Sequence, residues 1–177
     1  MSGRRRAAGY RAQQSGAAWE RLLSQSCDLY RAERRAYIRQ VGAPFRVTAT
    51  LGGGRFSGVY EGAGGCDFVG HVKGRPFEAD AKRTTGRWSF SDLKPHQAKS
   101  LDDVVLAGGY AGILLLLDPM SYWLPWGGEV GIRYRRWREL AALPKPAPAG
   151  SASLSVADCI VLGTRFKGGD FLAAVLS

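Results

Sequence analysis

The run from Asp67 to Lys82 constrains the fold most, because two alternating segments flank a single turn. The turn is Lys73-Gly74-Arg75-Pro76, and glycine and proline together are typical of a chain reversal. Side chains on a strand alternate between its two faces, so Glu78, Asp80 and Lys82 share one face. The opposite face is apolar and holds Phe68, Gly70, Val72, Phe77, Ala79 and Ala81. The pattern predicts a β-hairpin with one core face and one face of carboxylates and a lysine.

The register of this hairpin decides how close its carboxylates come. With Gly74-Arg75 as the loop, Asp67 lies opposite Lys82, and Asp80 is a diagonal neighbour of Asp67 at about 7–8 Å between backbones. Two carboxylates this close repel each other unless a cation lies between them. Carboxylate oxygens suit Mg²⁺ or Mn²⁺, which also bind substrate phosphates. The spacing therefore indicates metal-assisted phosphodiester hydrolysis, with Lys82 orienting the attacking water or offsetting phosphate charge. The alternative is a solvated face of exposed ion pairs, each contributing about 0–1 kcal/mol.

The order of these residues resembles a known nuclease superfamily. Asp67 followed by Asp80-Ala81-Lys82 resembles the PD-(D/E)xK nucleases, and the wider context is similar to RecU-like Holliday junction resolvases. The resemblance covers roughly residues 15 to 126. Its motifs are Gly16-Ala17-Ala18-Trp19-Glu20, Asp67-Phe68-Val69-Gly70, Phe77-Glu78-Ala79-Asp80-Ala81-Lys82, His96-Gln97 at the start of a second helix, and the apolar strand Ala111 to Leu117.

The resemblance implies a homodimeric, Mg²⁺-dependent endonuclease, with Mn²⁺ as a substitute, that cuts four-way DNA junctions symmetrically. It implies an α/β fold with a restriction-endonuclease-like core, in which helices flank a mixed central β-sheet. Carried over by motif, Asp67 and Asp80 are metal ligands, and Glu20 is an acidic contributor to the metal site from the first helix. Lys82 is the catalytic lysine, and Gln97 matches a glutamine that supports the site.

The chain departs from the family pattern at three places. Cys66 stands where the superfamily name expects proline. Asp80 stands where these resolvases more often have glutamate, so Glu78 on the same face is a candidate to act in its place or beside it. The segment between Val47 and Tyr60 is shorter than the family's long stalk, which concerns junction selectivity more than nuclease chemistry.

Net charge indicates the partner. The chain carries +10, and residues 1–46 alone contain ten arginines against three acidic residues. A strongly basic chain is expected to bind polyanions such as nucleic acid, with salt-sensitive affinity. The alternatives are a generic basic protein and a ribosome- or membrane-surface binder. The candidate DNA-contacting residues are Arg4, Arg5, Arg6, Arg11, Arg46, Arg55, Lys73, Arg83, Arg87 and Lys94.

Cysteine and histidine usage disfavours two other classes. The three cysteines are far apart and form no CxxC pair, which is typical of reduced thiols in a cytosolic protein, and two histidines make a zinc site unexpected. No signal peptide is evident, and the apolar run Ile113 to Leu117 is too short to span a bilayer. We expect a cytoplasmic protein of a bacterial cell or a phage-infected host, with no membrane association.

The chain divides into four predicted regions: a disordered basic arm over 1–14, a nuclease core over 15–143, a proline-rich linker over 144–150 and a docked C-terminal tail over 151–177. Within the core, Ser15 is expected to cap a helix that runs to about Val41. The other expected elements are strands Phe45 to Thr50, Phe56 to Glu61, Ala111 to Leu117 and Tyr122 to Trp126, and helices from Lys94-Pro95 to Leu106 and from Val130 to Leu143.

The sequence thus predicts a Mg²⁺-dependent, structure-specific DNA endonuclease that resolves Holliday junctions. Two alternatives stay open. One is another PD-(D/E)xK nuclease, of repair or restriction type, which would cut linear duplex or flaps as readily as junctions. The other is a non-catalytic DNA-binding protein with a decayed site, which would bind junctions without Mg²⁺-dependent nicking.

Overall fold

The structure is a computed structural model, and it describes residues 2–42, 44–61, 64–127, 131–132 and 153–177, with side chains described from residue 16 onwards. The helices are α1 (Ser2–Ala32), α2 (Pro95–Leu106), α3 (Val156–Leu162) and α4 (Leu172–Leu176). The strands are β1 (Ala36–Gln40), β2 (Phe45–Gly52), β3 (Arg55–Tyr60), β4 (Phe68–Val72), β5 (Arg75–Thr84), β6 (Arg87–Ser89), β7 (Tyr110–Leu117), β8 (Met120–Pro125), β9 (Ser153–Ser155) and β10 (Thr164–Phe166). A short 3-10 turn, Phe90–Asp92, follows β6.

A six-stranded sheet in the order β1-β4-β5-β7-β8-β10 forms the centre of the molecule. Among the described pairings of this sheet, β5–β7 is parallel and the others are antiparallel, so the sheet is mixed. One face packs against α1 and α4 through a cluster that includes Trp19, Phe77 and Phe171, and the other packs against α2 through Leu101 and Ile113. The predicted α/β core with a mixed sheet flanked by helices is confirmed.

The strand β7 lies between β5 and β8, in the middle of the sheet. Nearly all its side chains are buried, as its continuous apolar run predicts for a strand covered on both faces. Helix α2 also agrees with the sequence: it begins at Pro95 and ends at Leu106. Proline is favoured in the first helical turn, where its missing N–H costs nothing.

The first helix differs from its prediction at both ends. Helix α1 begins at Ser2 rather than at Ser15, so residues 2–14, expected as a disordered arm, belong to the helix. It ends at Ala32 rather than near Val41, because Arg34 takes a left-handed conformation with φ 57°. The N–H of Arg35 then donates to Tyr30 O and that of Arg34 to Arg31 O, the cap that glycine usually makes.

The residues after this cap form β1 instead of a helix. Strand β1 pairs with β4 in antiparallel register, with Ile38 opposite Gly70. Ile38 is buried in the α1-side core, whereas its neighbour Tyr37 is half exposed. A Cβ on Gly70 would lie 2.0 Å from Tyr37 O, so the close approach of the two strands requires glycine there.

The β4–β5 hairpin has the predicted faces but a different turn. Its loop is Lys73-Gly74, with φ values of 49° and 76°, as a two-residue hairpin turn with two positive φ angles requires. Val72 therefore pairs with Arg75, and the expected pairing of Asp67 with Lys82 is wrong. Extending the observed register by one residue places Asp67 opposite Asp80. The shift is two residues, so every side chain keeps its predicted face.

The hairpin formed by β2 and β3 makes a separate two-stranded sheet. Nearly all its residues are exposed, including Phe56 and Tyr60. Phe45 contacts both of these rings, with centroids 5.8 Å from Phe56 and 5.3 Å from Tyr60. The hairpin thus presents an aromatic cluster to solvent instead of contributing to the core.

The C-terminal segment packs on the sheet of its own chain. Strand β9 pairs with β6, and β10 joins the central sheet beside β8. Phe171 is fully buried and contacts Tyr30 of α1, whose hydroxyl donates to Asp170 Oδ1 at 2.7 Å. The predicted linker over 144–150, and the predicted helix over 130–143 apart from residues 131–132, lie outside the described residues. Among the described residues, no helix is long and apolar enough to cross a membrane.

Candidate active site

Asp80 of β5 is the centre of the candidate site. Strand alternation directs its side chain to the α2 face of the sheet, where it is fully buried. Gln97 Nε2 donates to Asp80 Oδ1 at 2.5 Å, and Gln97 Oε1 accepts from the backbone N–H of Lys94 at 2.9 Å. Asp80 Oδ2 forms an ion pair with Lys82 Nζ. The two carboxylate oxygens of Asp80 are therefore held by two other predicted site residues, Gln97 and Lys82.

Asp67 enters from the residue just before β4. Its Oδ2 accepts from the backbone N–H of Ala81 at 2.8 Å, which fixes the carboxylate beside β5. Burial is the largest cause that raises the pKa of Asp80, and the charge of Asp67 acts in the same direction. The turn at Lys73-Gly74 thus brings the two carboxylates closer than the diagonal placement expected from sequence.

The protonation of Asp80 reflects this crowding. Burial is the largest cause that raises its pKa from 3.8 to about 7, and the Lys82 ammonium opposes the shift. A buried carboxylate that shares its site with a second carboxylate favours the neutral form unless a cation compensates it. Perturbed groups of this kind cluster at functional sites.

Glu20 lies on α1, which packs on the sheet face opposite to α2, and its carboxylate interacts electrostatically with Asp67 and Lys82. It is half-buried and accepts from Gln40 Nε2 at 2.8 Å. Burial and Asp67 raise its pKa, while Lys82 and Gln40 lower it. All five predicted catalytic residues therefore belong to one neighbourhood. Within the described residues, however, no three acidic, histidine or cysteine side chains are arranged to hold one metal ion, and the metal-ligand role of Glu20 stays a prediction.

The donor set fits a hard divalent cation. Mg²⁺ binds proteins through one or two carboxylates and keeps several waters for substrate phosphates to replace. Asp67 and Asp80 supply two adjacent carboxylates. Asp80 Oδ2 is buried and has no hydrogen-bond donor of good geometry among the described residues, the Lys82 ammonium being its counter-charge. A divalent ion at these two residues would stabilise the charged form of both.

Glu78 is a second buried carboxylate on the same face of β5. Its Oε1 accepts from the backbone N–H of Cys66 at 3.0 Å and from Ser100 Oγ at 2.5 Å. Burial, together with Asp80 and Glu78, raises the pKa of the Cys66 thiol. Cys66 therefore stays a neutral, buried thiol, and the arrangement gives Glu78 contacts that differ from those of Asp80.

The predicted DNA-contacting residues are spread over several surfaces. Arg4, Arg5, Arg6 and Arg11 lie on the part of α1 whose side chains are not described. Arg46 forms an exposed ion pair with Glu61 in the β2–β3 hairpin, and Arg55 is exposed at the tip of that hairpin. Lys94 is exposed at the start of α2, three residues from Gln97. Lys73 is exposed at the turn of the β4–β5 hairpin, at the end opposite Asp67.

Two more of these basic residues have partners within the fold. Arg83 pairs with Asp118 at 2.7 Å, and Arg87 donates to Ser153 Oγ at 2.9 Å and to Ser153 O at 3.1 Å. Trp88, beside Arg87, is fully buried and packs against Phe90 in a tilted arrangement, with ring centroids 4.9 Å apart. Trp88 is therefore a core residue.

Sequence reasoning missed Gln40 and Ser100. Gln40 was placed at the end of a helix, and only β1 brings it to Glu20. Ser100 carried a usable signal, because it follows Gln97 by three residues on α2 and residues at that spacing share a helix face.

The comparison with protein families decides the identity of the chain. The model of the RecU family, described as recombination protein U, matches residues 14–125. The chain belongs to the RecU family of Holliday junction resolvases. The match contains every residue of the candidate site, and membership supports a nuclease that acts on DNA junctions.

Two further comparisons add little to the family match. Among solved structures, the chain is similar to Archaeoglobus fulgidus Hjc, a Holliday junction resolvase from an archaeal hyperthermophile, with 12% identity over 85% of this chain and 95% of that one and a TM-score of 0.45. Among curated proteins, no sequence matches significantly.

Proposed function

We propose that this RecU-family member is a Mg²⁺-dependent endodeoxyribonuclease that resolves four-way DNA junctions by symmetric phosphodiester hydrolysis. The observation that carries the proposal is the convergence of Asp67, Asp80 and Lys82 on one buried spot, with Gln97 holding Asp80. Family membership supports the junction as substrate.

Asp67 and Asp80 would hold the ion, which supplies a Lewis acid for the scissile phosphate. Gln97 and the N–H of Ala81 fix the two carboxylates before substrate binds, so little reorganisation is needed at the moment of reaction. The Lys82 ammonium pairs with Asp80, and it would offset negative charge that develops on the phosphate and orient the attacking water.

The reaction is the in-line attack of water on phosphorus. One P–O bond forms and the P–O3′ bond breaks, leaving a 5′-phosphate and a 3′-hydroxyl. The water gives up one proton to solvent, and the leaving oxygen takes one. Glu20, whose pKa is raised by burial and by Asp67, is a nearby group that can accept a proton.

Symmetric resolution calls for two sites related by two-fold symmetry. A four-way junction has such symmetry in its strands, and a C₂ homodimer presents the same surface twice. Each protomer carries one complete set of Asp67, Asp80 and Lys82, so a homodimer would cut two opposing strands without sharing residues between sites.

The test compares a synthetic four-way junction with a linear duplex of the same sequence, each in Mg²⁺, in Mn²⁺ or in EDTA. We expect paired, symmetric nicks on the junction with either ion, far slower cutting of the duplex, and no cutting in EDTA. Equal cutting of both substrates would indicate a nuclease of broader specificity. Salt-sensitive junction binding without nicking in either ion would indicate a non-catalytic binding protein.

A further inference from the structure

We propose that Glu78 is the positioning residue of this site: its carboxylate fastens the segment that carries Asp67 and the helix that carries Gln97 onto β5. The inference rests on the proposed nuclease function and concerns how its metal-binding carboxylates are held. Glu78 is nearly fully buried two residues before Asp80, yet its hydrogen bonds point to two other segments of the chain.

The contacts of Glu78 converge on a single oxygen. Oε1 accepts from Cys66 N at 3.0 Å and from Ser100 Oγ at 2.5 Å. A Cβ on Gly65 would lie 3.1 Å from the same oxygen, so the loop packs directly on the carboxylate. An ionised carboxylate that accepts two buried donors forms charge-assisted hydrogen bonds, which are the stronger kind.

Each donor is next to a residue that acts on Asp80. Cys66 immediately precedes Asp67, and Ser100 lies three residues after Gln97 on the same face of α2. The loop and the helix also touch each other, since Cys66 Sγ lies 3.7 Å from Gln97 O. One carboxylate of β5 therefore links the three segments on which Asp67, Asp80 and Gln97 lie.

These contacts also separate two possible roles for Glu78. A metal ligand must present an oxygen to the ion, and replacing glutamate by glutamine would weaken it about as much as replacing it by alanine. A positioning residue needs only an oxygen that accepts from Cys66 N–H and Ser100 O–H, and glutamine has one. The conservative variant therefore distinguishes the roles.

The experiment compares Glu78→Ala, Glu78→Gln and Ser100→Ala with the wild type, and Glu33→Ala serves as a matched exposed-carboxylate control. Glu33 lies beyond the end of α1. Within the described residues, its one salt bridge is with Arg35. The measurements are kcat and KM on the junction, the Mg²⁺ affinity by calorimetry without DNA, and amide hydrogen exchange of residues 64–67.

We expect Glu78→Ala to lower kcat and Mg²⁺ affinity by about 10–100-fold, the range for residues that orient metal ligands. KM should stay within about twofold, and amide exchange at 64–67 should accelerate. Glu78→Gln should recover most of both losses, Ser100→Ala should show a smaller loss, and Glu33→Ala should match the wild type. If Glu78→Ala does not fold, Glu78→Gln and Ser100→Ala still decide the question.

Two outcomes would overturn the proposal. The first is that Glu78→Gln loses as much kcat and Mg²⁺ affinity as Glu78→Ala while amide exchange at residues 64–67 is unchanged. Glu78 would then act as a metal ligand or through its negative charge. If Glu78→Ala lowers only the melting temperature and leaves kcat and Mg²⁺ affinity intact, its role is purely structural. Failure of the nuclease function itself would look different, because the wild type would then not cut the junction, while the exchange measurement would still report on positioning.

Discussion

The two hairpins of this chain share a strand-turn-strand plan but have opposite surroundings. The β4–β5 hairpin lies inside the six-stranded sheet, whereas β2 and β3 pair with each other and, among the described residues, with no other strand. Phe77 of the first hairpin is buried against Trp123, whereas Phe56 of the second is 57% exposed. An isolated two-stranded hairpin is marginally stable in water, and exposed apolar clusters mark interaction surfaces. The buried hairpin therefore carries the candidate active site inside the packed sheet, and the exposed hairpin presents an apolar surface of the kind that makes interactions.

The largest expected effect concerns the chemistry that we propose for the buried hairpin. Asp67→Asn keeps the shape of the side chain and an oxygen for the N–H of Ala81, but removes the charge beside Asp80. We expect junction cleavage in Mg²⁺ to fall by about 10³-fold or more, since groups that act as a unit in catalysis show losses of this size.

Junction binding by the same variant should change less than about threefold. Gel-shift titrations in EDTA and single-turnover cleavage in Mg²⁺ measure the two effects separately. Parallel losses of binding and cutting would count against a catalytic role for Asp67.

The next effect concerns stability. Phe77→Ala should destabilise the fold by about 3–5 kcal/mol, as expected for a buried aromatic residue. Phe56→Ala should lie within about ±0.5 kcal/mol, as for exposed substitutions. Urea unfolding followed by tryptophan fluorescence measures both. Similar shifts for the two variants would mean that the exposed hairpin is also part of the cooperative core.

The third effect is a pH dependence that separates function from stability. The pKa of Asp80 is raised to about 7, so the folded protein binds this proton more tightly than the unfolded chain does. The stabilising contribution of the Asp80 carboxyl group is complete below its pKa in the unfolded chain, near 4, and is lost as the pH rises through its pKa in the folded protein, about 7. Asp80→Asn should thus raise the unfolding midpoint at pH 8 in EDTA, and the gain should shrink towards pH 4.

The matched control for this prediction is Asp103→Asn, because Asp103 is exposed on α2 and pairs with Lys99 at 2.8 Å. We expect the unfolding midpoint of Asp103→Asn at pH 8 to stay close to that of the wild type. A wild type more stable than Asp80→Asn at pH 8 would contradict the assignment of a raised pKa to Asp80. Cleavage by Asp80→Asn should be lost at every pH, so a gain in stability would accompany a loss of function.

Local patterns predicted much of the fold and the site. The alternation of residues 77–82 fixed which side chains face α2, and it did so even though the expected register was wrong by two residues. The error arose at Lys73, because a left-handed conformation is uncommon for lysine and the sequence signal favoured glycine at the centre of the turn. Arg34 also takes a left-handed conformation, and for the same reason the sequence did not predict the end of α1 at Ala32 or the strand β1 that follows.

Distant contacts account for the rest. Arg87 donates to Ser153, which lies 66 residues away in sequence, and no local pattern indicates such a pairing. Gln40 reaches Glu20 only because β1 pairs with β4. The composition of Ser151 to Ser177 predicted a docked tail, whereas the insertion of β10 into the central sheet depends on pairing with β8.

The smallest expected effect concerns the surface of the exposed hairpin. Arg55 lies at the tip of β2–β3 and is exposed. If this hairpin contacts junction phosphates, Arg55→Ala should weaken binding by about three- to tenfold and lower the slope of log K against log salt by about 1. Cleavage at saturating enzyme should be unchanged. Arg165→Ala on β10, also exposed, is the matched control, and we expect it to bind like the wild type. An equal loss for both variants would mean that the hairpin contributes to binding only through its share of the net charge. A loss confined to Arg55→Ala would make the exposed hairpin a DNA-contacting surface distinct from the buried hairpin, which carries the candidate site.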